Sequence, residues 1–325
     1  MKSIRGKDFI TLADYSKEEI EVIIETAFDL KRKTKYGEPH PLLPNKTLGM
    51  LFMQPSTRTR ISFETGMTQL GGHAQYYSPE NLQLVHKESW SDTAEVMSRY
   101  VDGIMIRNYL IGSYGEGRQI QRLMAEHSSV PIINGADDEG HPCQIMADLM
   151  TIIERFGPAY KEKKVVMSWV YSDRTKTIGQ MHDMTIAAAL LGMNLTLCFP
   201  KGYELDSKYM SHALKIAEKS GASIEQVDNL NEAAKGAHVI YAKSYGSLSM
   251  QESEDLKYRK PLKDEWRVGR KHFDLAEKNA IFMHSLPAAR EVEATNEVYD
   301  GPMSVIYDQA GNRLHAQKGI MALIM

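Results

Sequence analysis

The sequence has little of what marks secreted, membrane or metal-binding proteins. Its two cysteines, Cys143 and Cys198, lie far apart and show neither disulfide nor metal-site spacing. No hydrophobic run is long enough to span a bilayer, and the N-terminal MKSIRGKDFITLADYS lacks the apolar core of a signal peptide. The net charge of −3 gives no bulk basic surface for nucleic acid or an anionic membrane. We therefore predict a cytoplasmic protein that binds neither, in which any basic cluster is local.

Strand-like and helix-like segments alternate along all 325 residues. Ser16 and Glu19 form a capping box ahead of a helix over 16–33, and further helices are predicted near Asp92 and over 118–127, 178–192 and 207–221. Strands are predicted over 48–53, 73–78, 101–108, 130–134, 164–170, 195–199, 223–227, 238–242, 280–285 and 304–308. This alternation predicts an α/β fold with two doubly wound parallel-sheet domains, joined by helices near residues 145–160.

The stretch 54-QPSTRTRISFETGMTQLGG-72, directly after the first predicted strand, combines hydroxyl and arginine side chains. Ser56, Thr57 and Thr59 suit a helix start, because their oxygens accept the unpaired N–H groups of a first turn. Free N–H groups, the helix dipole and Arg58 together favour an anion, and phosphate fits best. Taken alone, the segment fits a basic helix start without a ligand equally well.

Polar residues also follow other predicted strands, where ligands bind in such sheets. These are Arg107-Asn108 and the segments 137-DDEGHPCQ-144, 171-YSDRTK-176, 243-KSYGS-247 and 284-HSLPAAR-290. Each has an ordinary interpretation by itself: Arg107 as a surface charge, His141 and Gln144 as loop residues, and Pro287 as the end of a strand. Only their order and spacing together point to one function.

That combination resembles the aspartate and ornithine transcarbamylase superfamily over essentially the whole chain. The motifs that carry the resemblance are STRTR-x-SFE, LQL-x-HKES, a strand ending in Arg107, HPCQ, HSLPA and AGNR. The resemblance implies a carbamoyl-phosphate domain of residues 1–147 with the final helix, 312–325, folded back onto it. It also implies an acceptor domain of residues 148–311, and a homotrimer, or a dimer of trimers, with shared active sites.

The resemblance assigns roles to individual residues. Ser56, Thr57, Arg58 and Thr59 would hold the phosphate of carbamoyl phosphate. Thr59, Arg107 and His141 would polarise the carbonyl, while Gln144 and the backbone carbonyl of Leu286 would receive the NH2 group. Arg313 would reach carbamoyl phosphate, and Gln83 would be donated by a neighbouring subunit. Arg58, Arg107, His141 and Gln144 are the predicted catalytic residues. Transfer to an amine needs positive charge on the phosphate and donors on the carbonyl oxygen, so we expect neither a metal nor a cofactor.

The acceptor side departs from the ornithine-type pattern. The segment 168-SWVYSDRTKT-177 replaces the GD-x-NN motif, Lys243 lies near the position of an acidic residue, and HSLP has Ser285 in place of cysteine. Arg174, Lys176 and Lys243, with Ser285, are the predicted acceptor-binding residues, and Arg290 would add to their charge. This basic set predicts a carboxylate-bearing acceptor with an amine, amide or ureido nitrogen, or the reverse phosphorolysis of a ureido compound. The ordinary interpretation is that Lys176 and Lys243 are solvated surface lysines.

Two other functions stay open. The stretch VMSWVYS with YAKSYG is similar to less-characterised transcarbamylases found beside purine and ureide catabolism genes, whereas LGGHA and STRTR-x-SFETGM resemble putrescine-type sequences. A diverged ornithine or putrescine transcarbamylase is therefore one alternative. A non-catalytic sensor that only binds carbamoyl phosphate is the other, although such a binder would not need the carbonyl-polarising groups.

Overall fold

The computed structural model describes residues 3–109 and 113–325 and divides into two compact units. Unit 1 extends to Met150 and includes Gly311–Met325, and unit 2 is Thr151–Ala310. The sequence-based prediction placed these boundaries at 147–148 and 311–312. Each unit contains one parallel sheet with helices between its strands, so the predicted α/β class with two parallel-sheet domains is confirmed.

Unit 1 has a four-stranded parallel sheet with the order β2-β1-β3-β4. Its strands are β1 (Thr47–Phe52), β2 (His73–Tyr77), β3 (Gly103–Asn108) and β4 (Ile132–Asp137). Its helices are α1 (Lys17–Lys35), α2 (Thr57–Gln69), α3 (Trp90–Met97) and α4 (Glu116–His127), and α5 (Pro142–Phe156) begins in this unit. The predicted capping box of α1 is present, because Ser16 Oγ accepts from the Glu19 N–H and the Glu19 carboxylate accepts from the Ser16 N–H.

Unit 2 has a five-stranded parallel sheet with the order β7-β6-β5-β8-β9. Its strands are β5 (Lys164–Trp169), β6 (Asn194–Cys198), β7 (Ser223–Val227), β8 (Val239–Lys243) and β9 (Ile281–Met283). Its helices are α6 (Gly179–Leu191), α7 (Ser207–Ser220), α8 (Leu230–Ala234), α9 (Glu252–Arg259), α10 (Arg270–Phe273) and α11 (Asn296–Asp300), and α12 (Ile306–Ile324) begins here. Every residue of α6 except Leu190 is buried, including the polar residues Gln180, His182 and Asp183, so this helix has no exposed polar face.

The strand predicted over 304–308 is wrong. Ser304 makes only an isolated bridge to Phe282, and α12 begins at Ile306. The short apolar run SVIY fits a strand and a buried helix start equally well, and periodicity alone does not separate the two. The final helix therefore starts several residues before the predicted position of 312.

The C-terminal part of α12 lies very close to α1. A Cβ atom at Gly319 would lie 2.9 Å from the Ile23 carbonyl oxygen and 3.1 Å from the Ala27 nitrogen. Only glycine allows the two backbones to approach this closely. Further along, the Gly6 N–H donates to the Ile324 carbonyl at 2.8 Å. The glycine thus fixes the helix that carries Arg313 within unit 1.

The strand orders determine which loops meet. The chain reverses its winding direction between β1 and β3 in unit 1, and between β5 and β8 in unit 2. At such a switch point the loops after the two neighbouring strands diverge and leave a crevice at the carboxyl edge. In unit 1, the connection after β1 leads into Ser56–Arg60, and the connection after β3 follows Arg107. In unit 2, the loop after β5 carries residues 171–176, and the loop after β8 follows Lys243. No helix among the described residues has the length and apolar character needed to span a bilayer.

Candidate functional site

The first part of the unit 1 site is the start of α2. Ser56 has an extended backbone and caps the helix, its Oγ accepting from the Thr59 N–H at 3.3 Å. The helix begins at Thr57, so the Thr57 and Arg58 N–H groups belong to the first turn, which has no intrahelical acceptors. Arg60 lies on the other side of the helix, exposed and paired with Glu64 at 2.9 Å. Of the predicted phosphate-binding residues, Thr59 is buried, Ser56 and Arg58 are partly buried, and Thr57 is exposed.

Three arginines of unit 1, Arg58, Arg107 and Arg313, are close enough to repel one another. Burial and the charge of Arg107 lower the pKa of Arg58. Burial lowers the pKa of Arg313 to about 10, and the charges of Arg107 and Arg58 contribute. Within the described residues none of the three forms an ion pair with a carboxylate, and the buried Nε atoms of Arg107 and Arg313 have no hydrogen-bond partner. An anion would supply both the missing charge and the missing acceptors.

Neutral groups hold Arg107 and Arg313 in position. Arg107 donates to the Gly135 carbonyl at 3.3 Å and to the Tyr109 hydroxyl at 3.2 Å. Arg313 donates from one terminal nitrogen to Gln144 Oε1 at 2.7 Å and from the other to Thr59 Oγ1 at 3.2 Å. These partners orient the guanidiniums without neutralising them, so the positive charge stays available to a ligand.

His141 and Gln144 flank the start of α5. The His141 carbonyl accepts from the Gln144 N–H at 2.9 Å and from the Ile145 N–H at 3.3 Å, so His141 lies directly before the helix. The preceding loop is held by Asp137, whose buried carboxylate accepts hydrogen bonds from two nitrogens of Arg118 and from the Glu139 N–H. Gln144 contacts Arg313, which in turn contacts Thr59. The structure thus joins Thr59, Gln144 and Arg313 in one hydrogen-bonded chain.

Gln83 lies apart from this chain of contacts. It is exposed on the short turn Gln83–His86, where its carbonyl accepts from the Glu88 N–H at 3.3 Å. The role that the resemblance assigns to it requires a neighbouring subunit and stays a prediction. In the described part of the chain, no group of three or more His, Cys, Asp or Glu side chains is arranged to hold a metal ion.

Unit 2 contains a second buried polar cluster, built around Glu293. One carboxylate oxygen accepts from Lys176 and the other from His284 Nε2, and Glu293 itself is fully buried. Burial alone would raise the pKa of Glu293, but hydrogen bonds and charges of His284 and Lys176 lower it to about 2. His284 Nδ1 accepts from the Leu286 N–H at 2.9 Å, so the ring proton is on Nε2. The carboxylate and imidazole therefore fix the HSLP turn, in which Leu286 has a φ of +54°.

Lys243 lies next to this cluster at the carboxyl end of β8. Only 6% of its surface is exposed, and its ammonium donates to the neighbouring Ser244 carbonyl. Burial and the charge of Lys176 lower the pKa of Lys243 to about 7, while Glu293 opposes that change. Lys243 is therefore not the solvated surface lysine of the ordinary interpretation, and near pH 7 it is only partly charged.

The other predicted acceptor residues differ from Lys243 in their surroundings. Arg174 is exposed, and its carbonyl accepts from Arg259. The Ser285 hydroxyl donates to Gln180 Oε1 at 3.3 Å. Arg290 is exposed and forms two contacts with the Asp300 carboxylate, at 2.7 and 2.8 Å. Since Glu293 compensates Lys176 and Asp300 compensates Arg290, the predicted basic set carries much less net charge than its composition suggests.

Sequence reasoning missed three buried residues that organise these clusters. Asp148, His284 and Glu293 have exposed fractions of 0%, 3% and 0%. Asp148 follows Gln144 by one helical turn, a spacing that would have been informative had the helix predicted near residues 145–160 been extended back to Pro142. No comparable local signal links Glu293 to His284, because their contact depends on the fold of the intervening turn.

Comparisons with known proteins agree with this arrangement. Residues 7–154 match the family model "Aspartate/ornithine carbamoyltransferase, carbamoyl-P binding domain", and residues 163–324 match the corresponding "Asp/Orn binding domain". The chain belongs to the aspartate/ornithine carbamoyltransferase family. It is a transferase of carbamoyl groups, and the predicted superfamily is confirmed.

Two family members named for ornithine are similar to the chain along nearly its whole length. An ornithine carbamoyltransferase of Halalkalibacterium halodurans is 41% identical over 323 residues, covering 99% of this chain and 96% of the relative. The anabolic ornithine carbamoyltransferase of Pyrococcus furiosus is 43% identical over 323 residues, covering 99% and 98%.

Solved structures of family members give the same result. The ornithine carbamoyltransferase from Pyrococcus furiosus has a TM-score of 0.88 at 42% identity, covering 100% of this chain and 99% of that one. An N-acetyl-L-ornithine transcarbamylase has a TM-score of 0.90 at 33% identity, covering 98% and 100%.

Proposed function

We propose that this carbamoyltransferase transfers the carbamoyl group of carbamoyl phosphate to the side-chain amine of ornithine or of a closely related amino acid. The observation that carries the proposal is the similarity of 41–43% over almost the full length to enzymes named for ornithine. The uncompensated charges of Arg58, Arg107 and Arg313 support the phosphate end of the same reaction. This reading was the alternative to a non-ornithine, carboxylate-bearing acceptor.

The proposed reaction is a direct transfer of the carbamoyl group to the amine. The neutral amine attacks the carbonyl carbon, a C–N bond forms, and the C–O bond to phosphate breaks with its electron pair leaving on the phosphate. The leaving phosphate takes the proton that the amine loses. Arg58, Arg107 and Arg313 stabilise the negative charge that develops on the carbonyl oxygen and phosphate, in a fixed arrangement that requires little reorganisation.

The surroundings of Lys243 remove the main objection to a cationic acceptor. The sequence-based argument held that an ammonium would face a set of positive charges. Glu293 compensates Lys176, and burial lowers the pKa of Lys243 to about 7. A Lys243 side chain that is protonated only about half of the time repels an ammonium less than a fully charged one does. The neutral amine of an acceptor can accept a hydrogen bond from it.

The second candidate is an acceptor that bears a carboxylate and has no cationic group of its own. Lys243 is buried at the switch point of the unit 2 sheet, and no carboxylate of the described residues is hydrogen-bonded to its ammonium. A ligand carboxylate there would restore the full charge of Lys243 and stabilise it. This candidate covers both the synthesis and the phosphorolysis of the ureido compound.

A panel of acceptors separates the two candidates. Purified protein is supplied with carbamoyl phosphate and with ornithine, acetylornithine, putrescine or small amino- and amido-carboxylates, and phosphate release and ureido product are measured. Turnover with ornithine but not with the carboxylate amides supports the first candidate, and the opposite result rejects it. Carbamoyl-phosphate binding without turnover on any acceptor would favour a sensor.

The variant Lys243→Met sharpens the comparison. For the second candidate it should raise the acceptor KM at least about tenfold, the cost of one hydrogen bond to a charged group being roughly 1.5–3 kcal/mol. For ornithine it should change KM less, by about twofold to tenfold, since a hydrogen bond between neutral groups contributes roughly 0.5–1.5 kcal/mol. The exposed Lys278→Met of the same unit is the matched control.

The proposal includes a homotrimer whose active sites use residues of two chains. The exposed position of Gln83 is compatible with donation to a neighbour. Sedimentation of the purified chain should give three times the monomer mass of 36.7 kDa, or six times for a dimer of trimers. Gln83→Ala should then lower activity without changing that mass, whereas a fully active monomer contradicts the shared-site part of the proposal.

A further inference from the structure

A buried carboxylate lies immediately behind the unit 1 site, and neither the family resemblance nor the reaction chemistry assigns it a role. Asp148 is on α5, one helical turn after Gln144, and has no exposed surface. Its Oδ1 accepts from Gln144 Nε2 at 2.8 Å. Burying a carboxylate costs free energy unless hydrogen bonds and charges compensate it. Its position next to a predicted ligand-binding amide therefore calls for an explanation.

The two neighbours of Gln144 allow its side-chain amide only one orientation. On one side, the Asp148 carboxylate accepts hydrogen bonds and donates none. On the other, Arg313 donates to Gln144 Oε1 at 2.7 Å and has no acceptor atom. The NH2 end must therefore face Asp148 and the carbonyl end must face Arg313. A rotation of the amide by 180° would create one donor–donor and one acceptor–acceptor contact.

This orientation gives the site an acceptor where a ligand amide would need one. Gln144 Oε1 has two lone pairs, of which Arg313 uses one. The second remains for a donor on the ligand, such as the NH2 group of carbamoyl phosphate. A methyl group at the same place, as in acetyl phosphate, would leave that lone pair buried without a donor, and such a loss is a strong source of discrimination.

We propose that Asp148 is a positioning residue that makes the unit 1 site selective for a carbamoyl group, by holding the Gln144 amide with its oxygen toward the ligand. The inference rests on the proposed placement of carbamoyl phosphate against Gln144, and it does not depend on the acceptor. Asp148 acts through Gln144 and does not itself touch the ligand. Its effect is on the carbamoyl end and not on the phosphate.

The test compares three ligands that share the phosphate. Calorimetry gives the Kd of carbamoyl phosphate, acetyl phosphate and inorganic phosphate for the unaltered chain and for Asp148→Leu. We expect Asp148→Leu to weaken carbamoyl phosphate about tenfold, as for one lost hydrogen bond, and to change the other two less than about threefold. An equal loss for all three overturns the proposal, because the carboxylate would then act through the charge of Arg313. No loss for any ligand overturns it as well.

Asp148→Asn is the second variant, and it separates hydrogen bonding from charge. Its amide oxygen still accepts from Gln144 Nε2, so the preference for carbamoyl over acetyl phosphate should persist even if all three affinities fall together. Loss of that preference in folded Asp148→Asn contradicts the inference. Such a loss would overturn the inference even if Asp148→Leu does not fold.

Asp102→Asn provides the matched control. Asp102 holds Lys46 and the Thr47 N–H in unit 1 and makes no contact with Gln144 or Arg313, so all three affinities should be unchanged. If the unaltered chain binds no carbamoyl phosphate, the proposed function fails. If it binds carbamoyl phosphate and folded Asp148→Leu keeps its full preference, only the role of Asp148 fails.

Discussion

Replacing Lys243 by methionine should make the protein more stable at neutral pH. The ammonium is buried, and its pKa in the folded protein is about 7 against an ordinary value of 10.5. A tenfold change in proton affinity is about 1.4 kcal/mol, so the folded state at pH 7 carries a penalty of about 4 kcal/mol. Methionine has a similar length and no charge, so this penalty disappears in the variant.

The pH dependence follows from the sign of the change. Because the pKa of Lys243 is lower in the folded than in the unfolded chain, the unfolded chain binds more protons between pH 7 and pH 10.5. The stability of the unaltered protein therefore rises with pH across that window. By pH 10 the penalty falls to about 1 kcal/mol, so the advantage of Lys243→Met should shrink by about 3 kcal/mol.

Urea unfolding at pH 7 and at pH 10 measures both quantities. The difference between the two pH values is the more informative one, because changes in packing affect both equally and cancel. Lys278→Met, an exposed lysine of unit 2, is the control and should show no such difference. A stability gap for Lys243→Met that is the same at both pH values would refute the reasoning, because Lys243 would then be fully charged when folded.

Three further predictions concern Glu293, Arg58 and Gly319. Glu293→Gln should lower the free energy of unfolding by roughly 3–5 kcal/mol, because it leaves the buried His284 imidazole and the partly buried Lys176 ammonium without their anion. A urea-measured loss below about 1 kcal/mol contradicts this. In the unaltered protein the same stabilisation should be lost as the pH falls from 4.5 to about 2. Arg58→Ala should weaken the binding of inorganic phosphate, measured by calorimetry, by roughly 1.5–3 kcal/mol. The ligand-free protein should be no less stable, since a repulsive charge is removed. Unchanged phosphate affinity would exclude Arg58 from the site. Gly319→Ala should lower the thermal unfolding temperature, at a cost of about 1–3 kcal/mol from the contact with α1. Gly311→Ala on the same helix has no atom within 4 Å of its added Cβ and should stabilise the protein by about 1 kcal/mol. Equal effects of the two variants would show that the close approach to α1 does not limit the residue at 319.

The helix and strand pattern could be predicted from local sequence because it rests on local physics. The capping box at Ser16, the hydroxyl start at Ser56 and the alternation of apolar strands with amphipathic helices all act within a few residues. The prediction over 304–308 was wrong because the three apolar residues Val305, Ile306 and Tyr307 are too few to show a period, and only packing decides between helix and strand there. Helix α5 was treated as a connection for a related reason, since its sequence follows a loop motif without a break.

The sequence by itself determined the fold class, the family and the residues able to bind an anion, because short-range propensities and motif order are written directly in the chain. Only the tertiary structure decided the charge state of those residues. The pairing of Lys176 depends on Glu293, and the charge of Lys243 depends on its burial. The orientation of the Gln144 amide depends on Asp148. Electrostatic free energies depend on distance and solvent exposure, and both are properties of the folded protein.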